Sequence, residues 1–337
     1  MGFFNKSAPP AKPPTPATGK PGAPFTNQTD RPKVGIALGG GVARGWAHIG
    51  ALKALHNLGI RPDVVAGTSV GALVGAAYLS SKLDVLEDWT RALNRRSIVK
   101  MLDFKIRAGG LVGGNRLVQE MYNHLGDTLT EELPKPFVAV ATDLLTGHEV
   151  WLKKGRLVDN IRASFSIPGI FRPALVDGRW LIDGALTNPL PVSICRALDC
   201  QCVIAINLTG DILGKNRAQD AAIPTAAGFD LLPYLSETGQ SERLSLLDPF
   251  TKKIFRRVDK EPSIFGVMTG SLNIILDRIT RSRLAGDPPD VHIAPRLGHI
   301  GLLEFDRAAE AIAEGEAAVE RAKPWIIDAM QVFDIGR

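Results

Sequence analysis

No run of about 18 consecutive apolar residues occurs in the chain, so no helical segment is expected to cross a bilayer. Cysteine is scarce. Cys195, Cys200 and Cys202 are clustered and odd in number. That excludes a disulfide framework, and the spacing of Cys200 and Cys202 does not suit a zinc knuckle. They read as reduced thiols in or near the core of a cytoplasmic protein. No grouping of His, Cys, Asp and Glu has metal-ligand spacing, so neither a metal nor another cofactor is expected. Charge of one sign is also lacking. The net charge is +5, but residues 1–32 carry Lys6, Lys12, Lys20 and Arg31 against Asp30 alone, which leaves +2 for the rest. A nearly neutral remainder gives no footprint for nucleic acid. Met1–Lys6 precedes no apolar run of signal-peptide length, and Lys6 stands where a myristoylation pattern needs Ser or Thr. No internal repeat is present.

What is there is an ordinary globular composition, 45% hydrophobic and 22% charged, with enough chain for a sizeable core. Residues 1–32 are rich in Pro, Ala, Lys, Thr and Gly. They read as a disordered tail, a docking arm or, more simply, an inert leader. Order is expected from Lys33 to the end, 33–337, as one domain. Val34–Leu38, Asp63–Ala66, Phe137–Thr142 and Cys202–Asn207 are short apolar runs of buried-strand type. Ile49, Leu52 and Leu55 share a helix face, as do Val70, Leu73, Val74, Ala77 and Tyr78. Residues 83–132 look mostly helical, and a helical closure is expected over 302–330. Strands alternating with helices imply an α/β fold, a mainly parallel sheet covered on both faces.

Two glycine turns follow the first two strands. Gly39-Gly40-Gly41-Val42-Ala43-Arg44-Gly45 opens a helix, whose free N–H groups favour an anion. It misses the dinucleotide fingerprint, because the last glycine falls one residue too far along, and it has no Gly-Lys-Ser/Thr ending. A packing turn and an oxyanion site both remain open for it. Gly67-Thr68-Ser69-Val70-Gly71 is G-x-S-x-G between a strand and an amphipathic helix, the context of a nucleophile elbow. Both turns sit at carboxyl ends of strands, where open α/β sheets bind ligands.

A serine nucleophile needs a base. After Ser69 come His124, His148, His292 and His299, none beside a marked turn. Trp180-Leu181-Ile182-Asp183-Gly184-Ala185 instead runs a short strand into an acid and a glycine. On its own an Asp-Gly pair is equally a plain turn.

Taken together these elements resemble the patatin-like phospholipases. The first turn is similar to that family's oxyanion loop with its arginine, and the second to its elbow. Asp183-Gly184-Ala185 is similar to its Asp-Gly-Ala/Gly element, and Ala163-Ser164-Phe165-Ser166-Ile167-Pro168 to the A-S-x-x-x-P segment before it. The resemblance is firm over 33–208. It extends through Asp290–Pro295 and Gly301–Phe305 toward the bacterial branch related to neuropathy target esterase. It implies a three-layer α/β/α patatin-like fold and a lipid acyl hydrolase. Phospholipids or lysophospholipids would be its substrates, with Ser69 as nucleophile, Asp183 as base and no histidine. Gly39, Gly40 and Gly41 would supply the oxyanion hole, and 210–285 a variable, lid-like segment. Arg44 either steers a phosphate or, the favoured reading, anchors the glycine loop to a carbonyl or carboxylate. Two other readings stay open: a non-catalytic lipid-binding or regulatory protein, and a Ser-His-Asp hydrolase using His292 or His299. A carboxylate base is expected to stay ionised through the neutral range unless burial raises its pKa.

Leu247–Arg257 mixes Phe250, Ile254 and Phe255 with Lys252, Lys253, Arg256 and Arg257. That pattern suits peripheral contact with an anionic inner-membrane surface, or equally a solvated helix face. Met268, Leu272, Ile275 and Ile279, at helical spacing after it, are expected to cover the site's mouth.

Overall fold

Four fully buried strands carry the sheet, and each is buried because both of its faces are apolar. They are β1 (Val34–Leu38), β2 (Val64–Thr68), β5 (Phe137–Asp143) and β10 (Cys202–Ile206). The structure, a computed structural model, describes residues 31–102, 104–107, 110–112, 115–211 and 264–333. Adding β6 (Glu149–Leu152), β8 (Ala174–Val176), β9 (Arg179–Asp183) and β11 (Val291–Ile293) completes the main sheet. Its order is β11-β10-β1-β2-β5-β9-β8, with β6 also on β5. From β11 to β5 all neighbours are parallel, while β6, β9 and β8 pair antiparallel.

Alternation along the strands feeds two cores. Ile36, Leu38, Val65, Ala139, Ile204 and Ile206 face one. Ala37, Ala66, Val138, Val140, Val203 and Ala205 face the other. The first is covered by α1 (Ala47–Asn57), α2 (Val70–Leu79), α6 (Leu157–Ser164) and α9 (Ala308–Val332). The second is covered by α7 (Val192–Ala197) and touched by Leu284 of α8 (Ile264–Gly286). This is the mixed α/β fold with helices on both sides. Cys195, Cys200 and Cys202 are free and buried, and burial raises all three thiol pKa values, Cys200 to about 11 and Cys202 to about 12.

Two expectations change, and one segment is filled in. Between α4 (Arg95–Leu102) and α5 (Asn115–Leu125) the chain makes β3 (Phe104–Arg107) and β4 (Gly110–Val112), not helix. With β7 (Gly169–Phe171) they form a second, three-stranded sheet. Strands of three or four residues are too short to show a period. The closing helix begins at Ala308, because Leu302 and Leu303 are buried in the turn before it. Part of 210–285 is the 23-residue helix α8. The tail 1–30 and the Lys252–Arg257 cluster lie outside the described residues.

Candidate active site

The registers along β5 bring the site together. Val65–Thr68 of β2 pair with Phe137–Val140, and Asp183, Ile182 and Leu181 of β9 pair with Ala141, Thr142 and Asp143. Strand β6 spans Ala139–Thr142 and so overlaps both partners. It must occupy the other edge, which leaves β2 and β9 sharing one. They run toward each other and meet end to end. Thr68 opposes Val140 and Asp183 opposes the next residue, Ala141. Residues 114 apart in sequence therefore become neighbours, and Ser69 Oγ donates to Asp183 Oδ2 at 2.7 Å.

Ser69 sits on a sharp turn, with φ 56° and ψ −125°. Serine rarely adopts a positive φ, and such strain persists only where the surroundings enforce it. Gly71 is one enforcer. A Cβ there would collide with the Leu38 carbonyl, so only glycine lets α2 begin this close to β1. The Ser69 N–H is held by Ser164 Oγ at 2.8 Å, and Ser166 O accepts from Asp183 N at 2.9 Å. The A-S-x-x-x-P segment thus touches both partners. Its Ile167 and Pro168 line the cleft as well.

Asp183 is 3% exposed. Its Oδ1 accepts from Ala185 N at 2.8 Å, closing the short turn after β9. Burial raises its pKa to about 7, against the opposing pull of the Ala185 and Ser69 hydrogen bonds. This enclosure is the exception attached to the expectation of a carboxylate ionised throughout the neutral range. Thr142 Oγ1 donates to Asp183 O at 3.0 Å, and Thr68 Oγ1 donates to Asn188 O at 2.8 Å. These two bonds tie the segment after β9 to the sheet.

The glycine loop departs from expectation in one respect. Gly39 N donates to Ile206 O at 3.1 Å, and Gly40 N to Pro189 O at 3.0 Å. An N–H already bonded to a carbonyl is not free for an oxyanion. Among the described residues, the N–H groups of Gly41, Val42 and Val70 have no such partner. Val70 is the first residue of α2, where N–H groups are left without an intrahelical acceptor. A Cβ at Gly40 would make only ordinary contacts, 3.5 Å from the Ser69 and Ala185 Cβ atoms, which places its backbone beside both residues.

Arg44 is 5% exposed, and its Nε donates to Ile300 O at 2.9 Å and Leu297 O at 3.3 Å. Desolvation lowers its pKa to about 10, partly offset by Glu304. These bonds join the glycine loop to the 297–302 turn. His48, absent from the sequence-level reasoning, is fully buried with Nε2 2.7 Å from Gly39 O. Only its position one turn after Arg44 marked it. His299 is paired with Glu310 at 2.6 Å, and His292 is on β11. Neither lines the cleft that holds Ser69.

That cleft encloses about 600 Å³, counting space open to solvent. Its walls are mainly apolar, and Leu186, Pro189 and Leu302 line it together with Leu272 and Leu276 of α8. Of the four residues read as a cover for the mouth, Leu272 lines the cleft, whereas Met268 and Ile275 are exposed. Among the described residues no cluster could hold a metal ion, and no helix is long and apolar enough to cross a membrane.

Residues 36–196 match the patatin family, described as patatin-like phospholipase. The chain is similar to an NTE family protein of Mycobacterium tuberculosis, 32% identical over 351 residues, covering 93% of this chain and 96% of that protein. It is also similar to neuropathy target esterase sws of Drosophila melanogaster, 31% identical over 182 residues. That match covers 52% of this chain and 13% of the fly protein. Among solved structures, VipD from Legionella pneumophila aligns over 90% of this chain and 67% of that chain, with a TM-score of 0.45 and 12% identity.

Proposed function

The chain belongs to the patatin-like phospholipase family, among its NTE relatives, and from that premise we propose that it hydrolyses acyl esters of phospholipids or lysophospholipids through Ser69 and Asp183. Family membership supports lipid acyl hydrolysis in general. The finer reading rests on one observation: a buried serine hydroxyl on a strained elbow, donating at 2.7 Å to a buried carboxylate, at the mouth of an apolar cleft.

The chemistry runs in two halves. Ser69 Oγ attacks the ester carbonyl as its proton passes to Asp183 Oδ2. The carbonyl π electrons move to oxygen, and the oxyanion is met by the N–H groups of Gly41 and Val70, backed by the N-terminus of α2. In this reading the Gly39–Gly41 loop is the oxyanion hole, with Gly39 and Gly40 shaping it rather than donating. Collapse expels the lipid alcohol, which takes the proton from Asp183, and leaves an acyl-serine. Water then attacks, again losing a proton to Asp183; collapse releases the fatty acid, and Ser69 Oγ leaves by taking that proton back from Asp183. Arg44 contributes by holding the loop.

An apolar cleft suits an acyl chain, which gains from leaving water. A lipid substrate is presented by a membrane or micelle, so in this reading the protein acts peripherally at such a surface. No histidine lines the cleft, which weighs against a Ser-His-Asp arrangement. A fluorophosphonate probe is expected to label one residue, Ser69. Ser69→Ala is expected to abolish hydrolysis across a phospholipid and lysophospholipid panel while leaving Tm nearly unchanged. Labelling elsewhere, or residual turnover in Ser69→Ala, would sink the assignment.

A further inference from the structure

His48 is buried, polar and outside the cleft, and the chemistry above does not use it. Its Nε2 faces a carbonyl, Gly39 O, which can only accept. Nε2 therefore carries the proton, and Nδ1 is bare. That Nδ1 is buried without a hydrogen-bond partner among the described residues. A second proton would have to sit there, and burial accordingly lowers the His48 pKa to about 4. The residue is thus a neutral donor of fixed tautomer. Leaving one ring nitrogen buried and unsatisfied opposes stability. An apolar side chain would avoid that cost, so the one bond His48 does make calls for an explanation.

The bond goes to the peptide unit joining Gly39 to Gly40. The carbonyl end of that unit is held by His48 at 2.7 Å, and its N–H end by Pro189 O at 3.0 Å. One peptide plane is clamped at both ends, between two glycines that would otherwise let it rotate freely. Two residues later Val42 has φ 52°, a strained value for a β-branched residue. The loop is therefore held away from its relaxed shape. Arg44, through Leu297 O and Ile300 O, and Ala43 N, through Leu302 O, grip its far side.

We propose that His48 is a positioning residue for the oxyanion loop: it locks the Gly39–Gly40 peptide so that the next N–H, that of Gly41, faces the developing oxyanion. The inference rests on the Ser69 reading above. His48 touches no substrate, so losing it disturbs only what forms in the transition state. Such a loss lowers kcat and leaves ground-state binding alone.

The test compares wild type, His48→Leu and His48→Gln. Leucine fills the space without a donor, and the glutamine amide reaches about as far as Nε2. For His48→Leu, kcat on a lysophospholipid and the rate of fluorophosphonate labelling both fall about 10- to 100-fold, the scale of a small misplacement. KM and the Kd of a non-hydrolysable ether analogue stay within about twofold of wild type, the mark of an interaction made only in the transition state. His48→Gln recovers most of the lost rate. If His48→Leu does not fold, His48→Asn, whose amide is too short to reach Gly39 O, takes its place. An active wild type with an unimpaired donor-less variant overturns the clamp. So does a variant that loses kcat and analogue binding together and is not rescued by glutamine. A wild type that neither hydrolyses ester nor takes the label overturns the Ser69 reading, and the clamp with it.

Discussion

Enclosure makes Asp183 a different acid from one in water. At its usual 3.8 it would be a weak acceptor for a serine proton, but burial raises it to about 7, near the pH at which a base works best. It acts as base only when ionised. Hydrolysis by the proposed dyad should therefore fall as pH drops through about 7, with one proton taken up, and stay flat above. A histidine base would give a limb at nearly the same place, so the position of the limb does not separate the two. Temperature does. Carboxylate ionisation has little enthalpy and imidazole ionisation has much, so an Asp183 limb should scarcely move between 10 and 40 °C. Alanine at His124, His148, His292 or His299, one at a time, should keep most of the activity. A limb that shifts with temperature as imidazole does, or one of these variants as inactive as Ser69→Ala yet folded, would remove Asp183 from the role of base.

The elements that were legible in the sequence were those with a period long enough to read. VGIAL and FVAVAT are unbroken apolar runs, and α1 repeats its apolar positions along one face, whereas α2, expected to be amphipathic, is apolar and buried nearly all round. Both glycine turns could be placed because a readable strand precedes each. What was hidden depends on pairing. Nothing in Arg179–Asp183 says that it will lie antiparallel on β5, head to head with β2, yet that register is what gives Ser69 a carboxylate partner. The second sheet stayed hidden because its strands are three or four residues long. So did the bonds of Gly39 and Gly40, which go to β10 and to the segment after β9. Helix α8 supplies Leu272 and Leu276 to the cleft, so under the proposed function its side chains bear on how much acyl chain fits. Leu276→Trp should raise KM for a long-chain lysophospholipid several-fold and change kcat/KM for a short-chain ester less than about twofold, since a pocket contact discriminates by only ~1–3 kcal/mol. Equal losses on both esters would mean that α8 does not border the acyl path.

The whole molecule carries a site that opposes its own stability. Ser69 and Val42 hold positive φ, His48 leaves a nitrogen unpaired, and Asp183 is a carboxylate shut away from water. The last of these can be measured through proton linkage. Below about pH 4 the folded and unfolded chains both hold the Asp183 proton, and its burial costs little. Between about 4 and 7 the folded chain keeps a proton that the unfolded chain has lost, so stability declines as pH rises. Above about 7 the penalty is complete, on the order of 4 kcal/mol for a pKa moved from 3.8 to about 7. Asparagine has nearly the same shape. Its Oδ1 still accepts from Ala185 N, and its Nδ2 can donate to Ser69 Oγ, whose own proton is then free to turn elsewhere. Asp183→Asn should therefore be inactive and more stable, with a Tm several degrees above wild type at pH 8 and a gap that closes as pH falls toward 4. Thermal scans of both proteins at four or five pH values between 4 and 8 would decide it. A gap that stays constant with pH, or a variant less stable than wild type at pH 8, would mean that the buried charge is stabilised by more than its two hydrogen bonds.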